Sequence, residues 1–212
     1  MRAAGIKVTA IKPGFRPPVS TRIQMNATLA PKEFSALQRS ERQALVVQGL
    51  STHLPAHALL WNSEDTTPYE CDGLTAYRQR PLVVALPENE TQVAAVLKTC
   101  HALGVPVVAR GAGTGLSGGA MPNALGVTLS MAKFNNILKL DPVSRTARVQ
   151  CGVRNLAISD AAAPLGLYYA PDPSSQIACT IGGNVAENSG GVHCLKYGLT
   201  LHNIVKDRKS VV

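Results

Sequence analysis

The stretch LVVALPENETQVAAVLKTCHALGVPVVARGAGTGLSGGA, residues 82–120, decides the fold. Its two short apolar runs, residues 82–86 and 105–109, predict buried strands. Between them, Asn89 is typical of the start of a helix and Gly104 of its end. Strand, helix and strand with short links predict a βαβ unit, in which the strands are parallel and the connection is right-handed.

The chain on either side of this unit predicts further helices and strands. Residues 126–131, 137–141 and 146–151 alternate or run apolar, and we expect them to form three antiparallel strands. Helices are expected over about residues 31–50 and over residues 155–163. One βαβ unit with a run of strands and helices predicts an α+β fold.

Composition excludes several classes of protein. The 212 residues are 45% hydrophobic, as in a globular protein with a proper core. The net charge is +8, and five of the basic residues lie at positions 1–24, which contain no acidic residue. Only 4% of the residues are aromatic. A nucleic-acid partner is therefore not expected. Five cysteines without a CxxC pair favour free thiols in a reducing compartment.

The glycine-rich segment after the second strand predicts a ligand site. Residues 111–119 contain five glycines, and successive backbone N–H groups in such a loop can cradle a phosphate or diphosphate. The alternative is a glycine-rich turn with no ligand. A nicotinamide fingerprint is a weak match, because Pro122 and Gly126 prevent a helix from opening at the loop. A P-loop is excluded, since no Lys-Ser/Thr pair follows the glycines. A third possibility is a flavin diphosphate loop that lies between strands and uses no helix dipole.

Long stretches of the chain resemble one family. RGAGTGLSGGA, residues 110–120, and YYAPDPSSQIACTIGGNVAENSGGVHCLKYG, residues 168–198, carry the resemblance, together with residues 68–78 and 152–159. Over roughly residues 60–206 the chain resembles the FAD-binding domains of the vanillyl-alcohol-oxidase and p-cresol-methylhydroxylase superfamily, and within it the glycolate-oxidase-type FAD-linked oxidases. The resemblance implies the N-terminal part of a p-cresol-methylhydroxylase-type FAD-binding domain.

The resemblance implies that both glycine-rich segments contact FAD. The expected contacts are Arg110, Gly111, Ala112, Gly113, Thr114, Gly115, Ser117 and Gly118 in the first segment, and Pro171, Asp172, Ser175, Thr180, Gly182, Gly183, Asn184, Asn188, Gly190 and Gly191 in the second. Short polar side chains among glycines can hydrogen-bond to a ribityl chain or a diphosphate. The alternative for the second segment is an ordered polar loop with internal turns.

The resemblance also implies that FAD is bound non-covalently. Members that tether FAD often do so through a histidine in the glycine loop, and Thr114 stands at the comparable place here. His193 and Cys194 are adjacent, but one such pair without further ligands does not predict a metal site. No metal is expected, and no catalytic residue is assigned.

The implied activity is the oxidation of glycolate to glyoxylate by a flavin-dependent 2-hydroxy-acid dehydrogenase or oxidase. Its partners would be a small 2-hydroxy acid, other oxidase subunits and an electron acceptor. The alternatives are a D-lactate or D-2-hydroxyglutarate dehydrogenase of the same fold, or a truncated remnant without catalysis. The chain alone is expected to be inactive. We expect a cytoplasmic protein, with peripheral attachment at the inner face of the membrane as an alternative.

The resemblance and the sequence pattern together predict that the chain divides into four segments. Residues 1–31 are expected to be a poorly ordered extension, and residues 32–68 an N-terminal segment of helix and loop. Residues 69–206 are expected to form the FAD-binding domain, incomplete at its C-terminus. Residues 207–212 are expected to be an atypical tail.

Overall fold

The structure is a computed structural model that describes residues 36–206. The expected extension over residues 1–31 and the tail over residues 207–212 lie outside the described residues. The described helices are α1 Ala36–Ser51, α2 Ser63–Thr66, α3 Glu90–Ala102, α4 Asn155–Ala162, α5 Ile181–Glu187 and α6 Cys194–Tyr197. The described strands are β1 Leu59–Leu60, β2 Val83–Ala85, β3 Val107–Arg110, β4 Val127–Ser130, β5 Ile137–Asp141 and β6 Thr146–Val149.

The main sheet has four strands in the order β1-β2-β4-β3. Strands β2 and β3 both run parallel to β4, while β1 pairs antiparallel at the edge of β2. The strand–helix–strand unit of the sequence is therefore confirmed as β2-α3-β3 with parallel strands. Its two strands are not neighbours, because β4 lies between them.

The expectation of an antiparallel strand over residues 126–131 is wrong. Strand β4 pairs in parallel with both of its neighbours, and all four of its residues are buried. A parallel pairing needs a long crossover between the strands, and the glycine-rich segment 111–126 supplies it without a helix. The glycine loop is thus the connection that lets β4 enter the middle of the sheet.

Strands β5 and β6 form the expected antiparallel pair, with an irregularity between Ile137 and Lys139. Helix α4 follows as predicted, and it ends in a 3-10 turn, Ala163–Leu165, closed by Gly166 at φ +69°. Positive φ is readily adopted by glycine, which explains why the helix stops there.

Helix α3 begins where the sequence predicts. The Asn89 side chain accepts a hydrogen bond of 3.0 Å from the backbone N–H of Gln92. The Gln92 side chain in turn accepts one of 2.7 Å from the backbone N–H of Glu88. The first contact satisfies an N–H group that a helix start would otherwise leave open, and the second ties the residue before the cap to the first turn.

The larger core lies where α1 and α3 pack on the main sheet. Its fully buried members include Val46, Leu50, Leu82, Val96 and Val127. Helix α1 covers most of the expected range, and residues 31–35 lie outside the described part of the chain. A smaller core of Val153, Ile158 and Ile181 joins α4 and α5.

Residues 51–68, expected to be loop, contain short regular pieces. Strand β1 pairs with β2, and α2 with two 3-10 turns, Ala56–Ala58 and Thr67–Tyr69, completes the segment. Leu59 is buried in this pairing, but two apolar residues among polar ones and prolines are too short a signal to predict a strand. Among the described residues, no helix has the length and apolar character needed to cross a membrane.

Candidate cofactor-binding cleft

The two glycine-rich segments face each other across one cleft of about 370 Å³. The first contributes the loop after β3, and the second contributes α5 and the residues before it. The predicted contact residues that line this cleft are Gly111, Ala112, Gly113, Thr114, Gly115, Ser175, Thr180, Gly183 and Asn184. Sequence reasoning thus named two distant segments that the fold brings together.

The loop over residues 112–116 lines the cleft and has free backbone donors. None of these five backbone N–H groups donates a hydrogen bond within residues 36–206. Gly113, at the centre, has φ +71°, a conformation that favours glycine. An array of unpaired N–H groups in a glycine loop is suited to binding an anion.

The outer part of the loop is fastened to the segment before β2. Asp72, only 5% exposed, accepts a hydrogen bond of 2.9 Å from the Gly118 N–H, and the Gly73 N–H donates to Gly115 O at 2.9 Å. A β-carbon on Gly73 would lie 2.7 Å from Thr114 O. The Gly118 N–H, predicted to face the cofactor, therefore holds the loop in place. Sequence reasoning missed Asp72 as the partner, although it lies in the stretch 68–78.

Arg110, expected from the sequence to contact FAD, does not line the cleft and packs against the loop. Its guanidinium donates to Cys71 O at 2.8 Å and to Ala120 O at 3.2 Å, and lies 5.6 Å from the centre of the Tyr69 ring. A β-carbon on Gly113 would overlap this guanidinium. Burial lowers the pKa of Arg110, and the charge of neighbouring Asp72 acts in the opposite direction. Arg110 thus ties both ends of the loop together and keeps a positive charge below it.

A second cleft, of about 380 Å³, adjoins the first. Both are lined by Gly111, Ala112 and Thr180. A β-carbon on Gly111 would overlap the Thr180 hydroxyl, so glycine leaves room for this hydroxyl where the end of β3 meets the start of α5. The other lining residues are Ala132, Asn135, Ile137, Gly152, Val153, Arg154, Ala157 and Ala178. Sequence reasoning named none of these as contacts, although the similar stretch 152–159 includes four of them.

Asn184 is part of a buried amide network. Its Nδ2 donates to Asn155 Oδ1 at 2.9 Å, and Asn155 Nδ2 donates to Pro171 O at 2.9 Å. Both asparagines are at most 2% exposed. The network fixes α5 and the Pro171 backbone to the start of α4. The predicted contacts Asn184 and Pro171 therefore also shape the cleft wall. Nothing in the sequence predicted this role of Asn155, apart from its place in the stretch 152–159.

Asp172 fastens the end of the second segment. Its carboxylate lies 2.6 Å from His193 Nδ1, and it accepts the His193 backbone N–H at 3.2 Å. The hydrogen bond from the His193 side chain lowers the pKa of Asp172. Within residues 36–206, no group of three or more His, Cys, Asp or Glu side chains could hold a metal ion.

The remaining predicted contacts lie outside the first cleft's lining. Asn188 ends α5 with φ +50°, and its Oδ1 accepts the Leu201 N–H at 3.1 Å. A β-carbon on Gly182 would lie 2.8 Å from the Cys151 β-carbon. The set that does not line the first cleft is Arg110, Ser117, Gly118, Pro171, Asp172, Gly182, Asn188, Gly190 and Gly191.

Comparison with known proteins identifies the family. The family described as FAD binding domain matches residues 81–208, more than half of the chain. The chain belongs to this FAD-binding domain family. Over 70% of its length, the domain also superposes on p-cresol methylhydroxylase with a TM-score of 0.63 at 24% identity, covering 30% of that chain. The fold class inferred from the sequence is thereby confirmed.

Two curated relatives are similar to this FAD-binding domain. Glycolate oxidase subunit GlcD of Escherichia coli strain K12 is 66% identical over 161 residues, which are 76% of this chain and 32% of the relative. D-2-hydroxyglutarate dehydrogenase of Xanthomonas citri pv. viticola is 36% identical over 154 residues, 73% of this chain and 33% of the relative. The chain spans about a third of the length of these relatives.

FAD is the cofactor of this family, and the cleft fits it. The unpaired N–H groups over residues 112–116 match the diphosphate, and Arg110 below them adds positive charge. The polar side chains of Ser174, Ser175 and Thr180 line the same cleft and could hydrogen-bond to sugar hydroxyls.

Proposed function

We propose that the FAD diphosphate binds the backbone N–H groups of residues 112–116, with the rest of the cofactor extending along the clefts on either side of Thr180. The array of unpaired donors in the cleft is the observation that carries this assignment. Of the residues expected from the sequence, those that line the first cleft would contact FAD, and Arg110, Gly118 and Asp172 would hold the contacting segments in place. Six further predicted contacts lie outside this lining: Ser117, Pro171, Gly182, Asn188, Gly190 and Gly191.

We propose that FAD is held without a covalent bond. The residues that line the two clefts include no histidine, and Thr114 lies in the loop at the place where tethering relatives carry one. Hydrogen bonds and packing around the cofactor would then supply the whole of its affinity.

We propose that the chain is the FAD-binding part of a dehydrogenase or oxidase of small 2-hydroxy acids, with glycolate as substrate. The 66% identity to glycolate oxidase subunit GlcD supports this substrate. Bound FAD would accept a hydride from the substrate carbon, and the residues of this chain would bind and orient the cofactor. Further oxidase subunits and an electron acceptor would be partners, in the cytoplasm or at the inner face of the membrane.

A chimera tests this activity. This chain is fused to the C-terminal two-thirds of the E. coli relative, loaded with FAD and mixed with glycolate without oxygen. Bleaching of the flavin absorption near 450 nm by glycolate is the expected result. The same fusion made with the relative's own N-terminal part is the control. A chimera that binds FAD but is not bleached by glycolate would contradict the proposal that this chain orients FAD for a 2-hydroxy acid.

A second candidate is a D-2-hydroxyglutarate or D-lactate dehydrogenase of the same fold. The 36% identity to a D-2-hydroxyglutarate dehydrogenase supports this second candidate. The deciding assay offers glycolate, D-lactate and D-2-hydroxyglutarate in turn to the native protein that contains this sequence. Faster bleaching by one of these acids than by glycolate would favour this candidate.

A further inference from the structure

A single carboxylate faces the glycine loop from the opposite wall of the cleft. Glu187 is the last residue of α5 and lines the cleft together with Gly115 and Gly119. A β-carbon built on Gly119 would lie 2.8 Å from Glu187 Oε1, and one on Gly115 would lie 3.7 Å from it. The carboxylate therefore lies directly against the loop, and glycine at 119 leaves room for it.

This carboxylate has no partner in the described part of the chain. Between residues 36 and 206, its oxygens form neither a hydrogen bond nor an ion pair. It is also the one Asp, Glu, Lys, Arg or His side chain among the described residues that line this cleft. An unpaired charge at a binding surface is available to a ligand.

Glu187 is exposed to solvent, and its place on the helix does not by itself favour a negative charge. A negative charge at the C-terminal end of a helix meets the negative end of the helix dipole. A diphosphate on the neighbouring loop would add repulsion between like charges. Local conflicts of this kind are expected at functional sites, where a ligand compensates for them.

FAD itself carries the donors that would compensate. Hydroxyl groups flank its diphosphate on both sides, on the ribityl chain and on the ribose. An ionised carboxylate only accepts hydrogen bonds, and a hydrogen bond from a hydroxyl to it is short and about twice as strong as a neutral one. We propose that Glu187 is a positioning residue whose carboxylate accepts a hydrogen bond from a sugar hydroxyl of FAD beside the diphosphate. The inference rests on the proposed cofactor site and adds to it the group that orients the sugar.

Titration of the purified chain with FAD tests this role. We expect Glu187→Ala to raise the Kd for FAD by roughly 10- to 100-fold, as for the loss of a charge-assisted hydrogen bond. Glu187→Gln keeps an acceptor oxygen and should recover part of the affinity. Melting temperatures without FAD should match that of the unsubstituted chain. Asp160→Asn, an exposed position on α4 outside both clefts, is the control and should leave the Kd unchanged.

Binding of ADP identifies the hydroxyl, because ADP carries the ribose and the diphosphate but no ribityl chain. An equal loss of affinity for ADP in Glu187→Ala supports a ribose hydroxyl, and a loss for FAD alone supports the ribityl chain. Equal or tighter binding of both ligands by Glu187→Ala would overturn the proposal, since the carboxylate would then only repel the diphosphate. If the unsubstituted chain bound no FAD, the proposed cofactor site itself would fail, and the role of Glu187 with it.

Discussion

Gly113 and Gly104 share a left-handed backbone, with φ +71° and φ +60°, but have different surroundings. A β-carbon on Gly113 would overlap the Arg110 guanidinium, whereas one on Gly104 would meet nothing within 4 Å. We predict that Gly113→Ala lowers FAD affinity about tenfold or more, because the buried, hydrogen-bonded Arg110 side chain or the loop itself must move. Both alanines should lower the free energy of unfolding by about 1–2 kcal/mol through backbone strain. Flavin titration and urea unfolding measure the two effects.

Gly104→Ala is the matched control, since it introduces the same strain far from the cleft. Equal FAD affinity in the two variants would contradict the assignment of the loop to the cofactor. A larger loss in Gly113→Ala that the free energy of unfolding does not explain would support it.

The buried guanidinium of Arg110 supports a second prediction. Arg110→Met would leave Cys71 O and Ala120 O without their donor and remove the charge beneath the loop. We expect the free energy of unfolding to fall by about 2 kcal/mol and FAD affinity to fall with it. Arg110→Lys keeps the charge but not the planar arrangement of donors, so it should recover affinity only in part. Full affinity in Arg110→Met, measured by flavin titration, would contradict the role of this charge.

The contact between Asp172 and His193 predicts a dependence on pH. The hydrogen bond from His193 lowers the folded-state pKa of Asp172 below the ordinary 3.8. Its stabilisation is therefore present above pH 3.8 and is lost as the pH falls through the lower folded-state value. The free energy of unfolding of His193→Ala should be lower than that of the unsubstituted chain at pH 7. Urea unfolding at decreasing pH should show this difference shrink below pH 3.8, and a constant difference would contradict it.

Sequence reasoning located the residues of the cleft better than their roles. The glycines and short polar residues of two segments marked where backbone approaches a ligand, and both segments line the cleft. Roles depend on which partner each polar group finds in the fold. Asp72, 46 residues from Gly118 along the chain, takes the Gly118 N–H, and no local pattern reveals such a pairing. The contact of Glu187 with the loop is equally non-local.

At the scale of elements, the amide network between α4 and α5 predicts a coupling. Asn155→Ala and Asn184→Ala each leave a buried polar group without its partner, so each should lower the free energy of unfolding by about 1–3 kcal/mol. The double variant should lose less than the sum, because the two side chains share one hydrogen bond. Urea unfolding of the unsubstituted chain, the two single variants and the double variant measures the coupling free energy between the two side chains.

Asn136→Ala, at an exposed position beside β5, is the control for this cycle and should change the free energy of unfolding by no more than about 0.5 kcal/mol. Strict additivity of the two substitutions would mean that α4 and α5 are not joined through this hydrogen bond.

Most of the helices and strands were predictable from the sequence. The orientation of β4 was not, and this has a physical cause. Helix α3 has start and stop residues, α4 has a stop at Gly166, and β2 and β3 are apolar runs, so local signals located all four. The orientation of β4 is not local, because it depends on the length of the glycine crossover and on which sheet position remains open. A short apolar strand fits a parallel or an antiparallel neighbour equally well, so its sequence did not decide between them.

For the whole molecule, non-covalent binding predicts the behaviour of the flavin on denaturation. Acid precipitation of the FAD-loaded chain should leave all flavin in the supernatant, because Thr114 and the other residues lining the clefts offer no histidine tether. The absorbance of pellet and supernatant measures this distribution. Flavin that stays with the washed pellet would show a covalent bond and would contradict the prediction.

The central claim is that the two glycine-rich segments form one FAD site, and a visible absorption spectrum tests it most directly. The purified chain is incubated with FAD, and unbound flavin is removed by gel filtration. The account predicts a protein-bound flavin spectrum that is lost in Gly113→Ala but retained in Gly104→Ala. A folded chain that elutes without flavin, or equal retention in both variants, would contradict it.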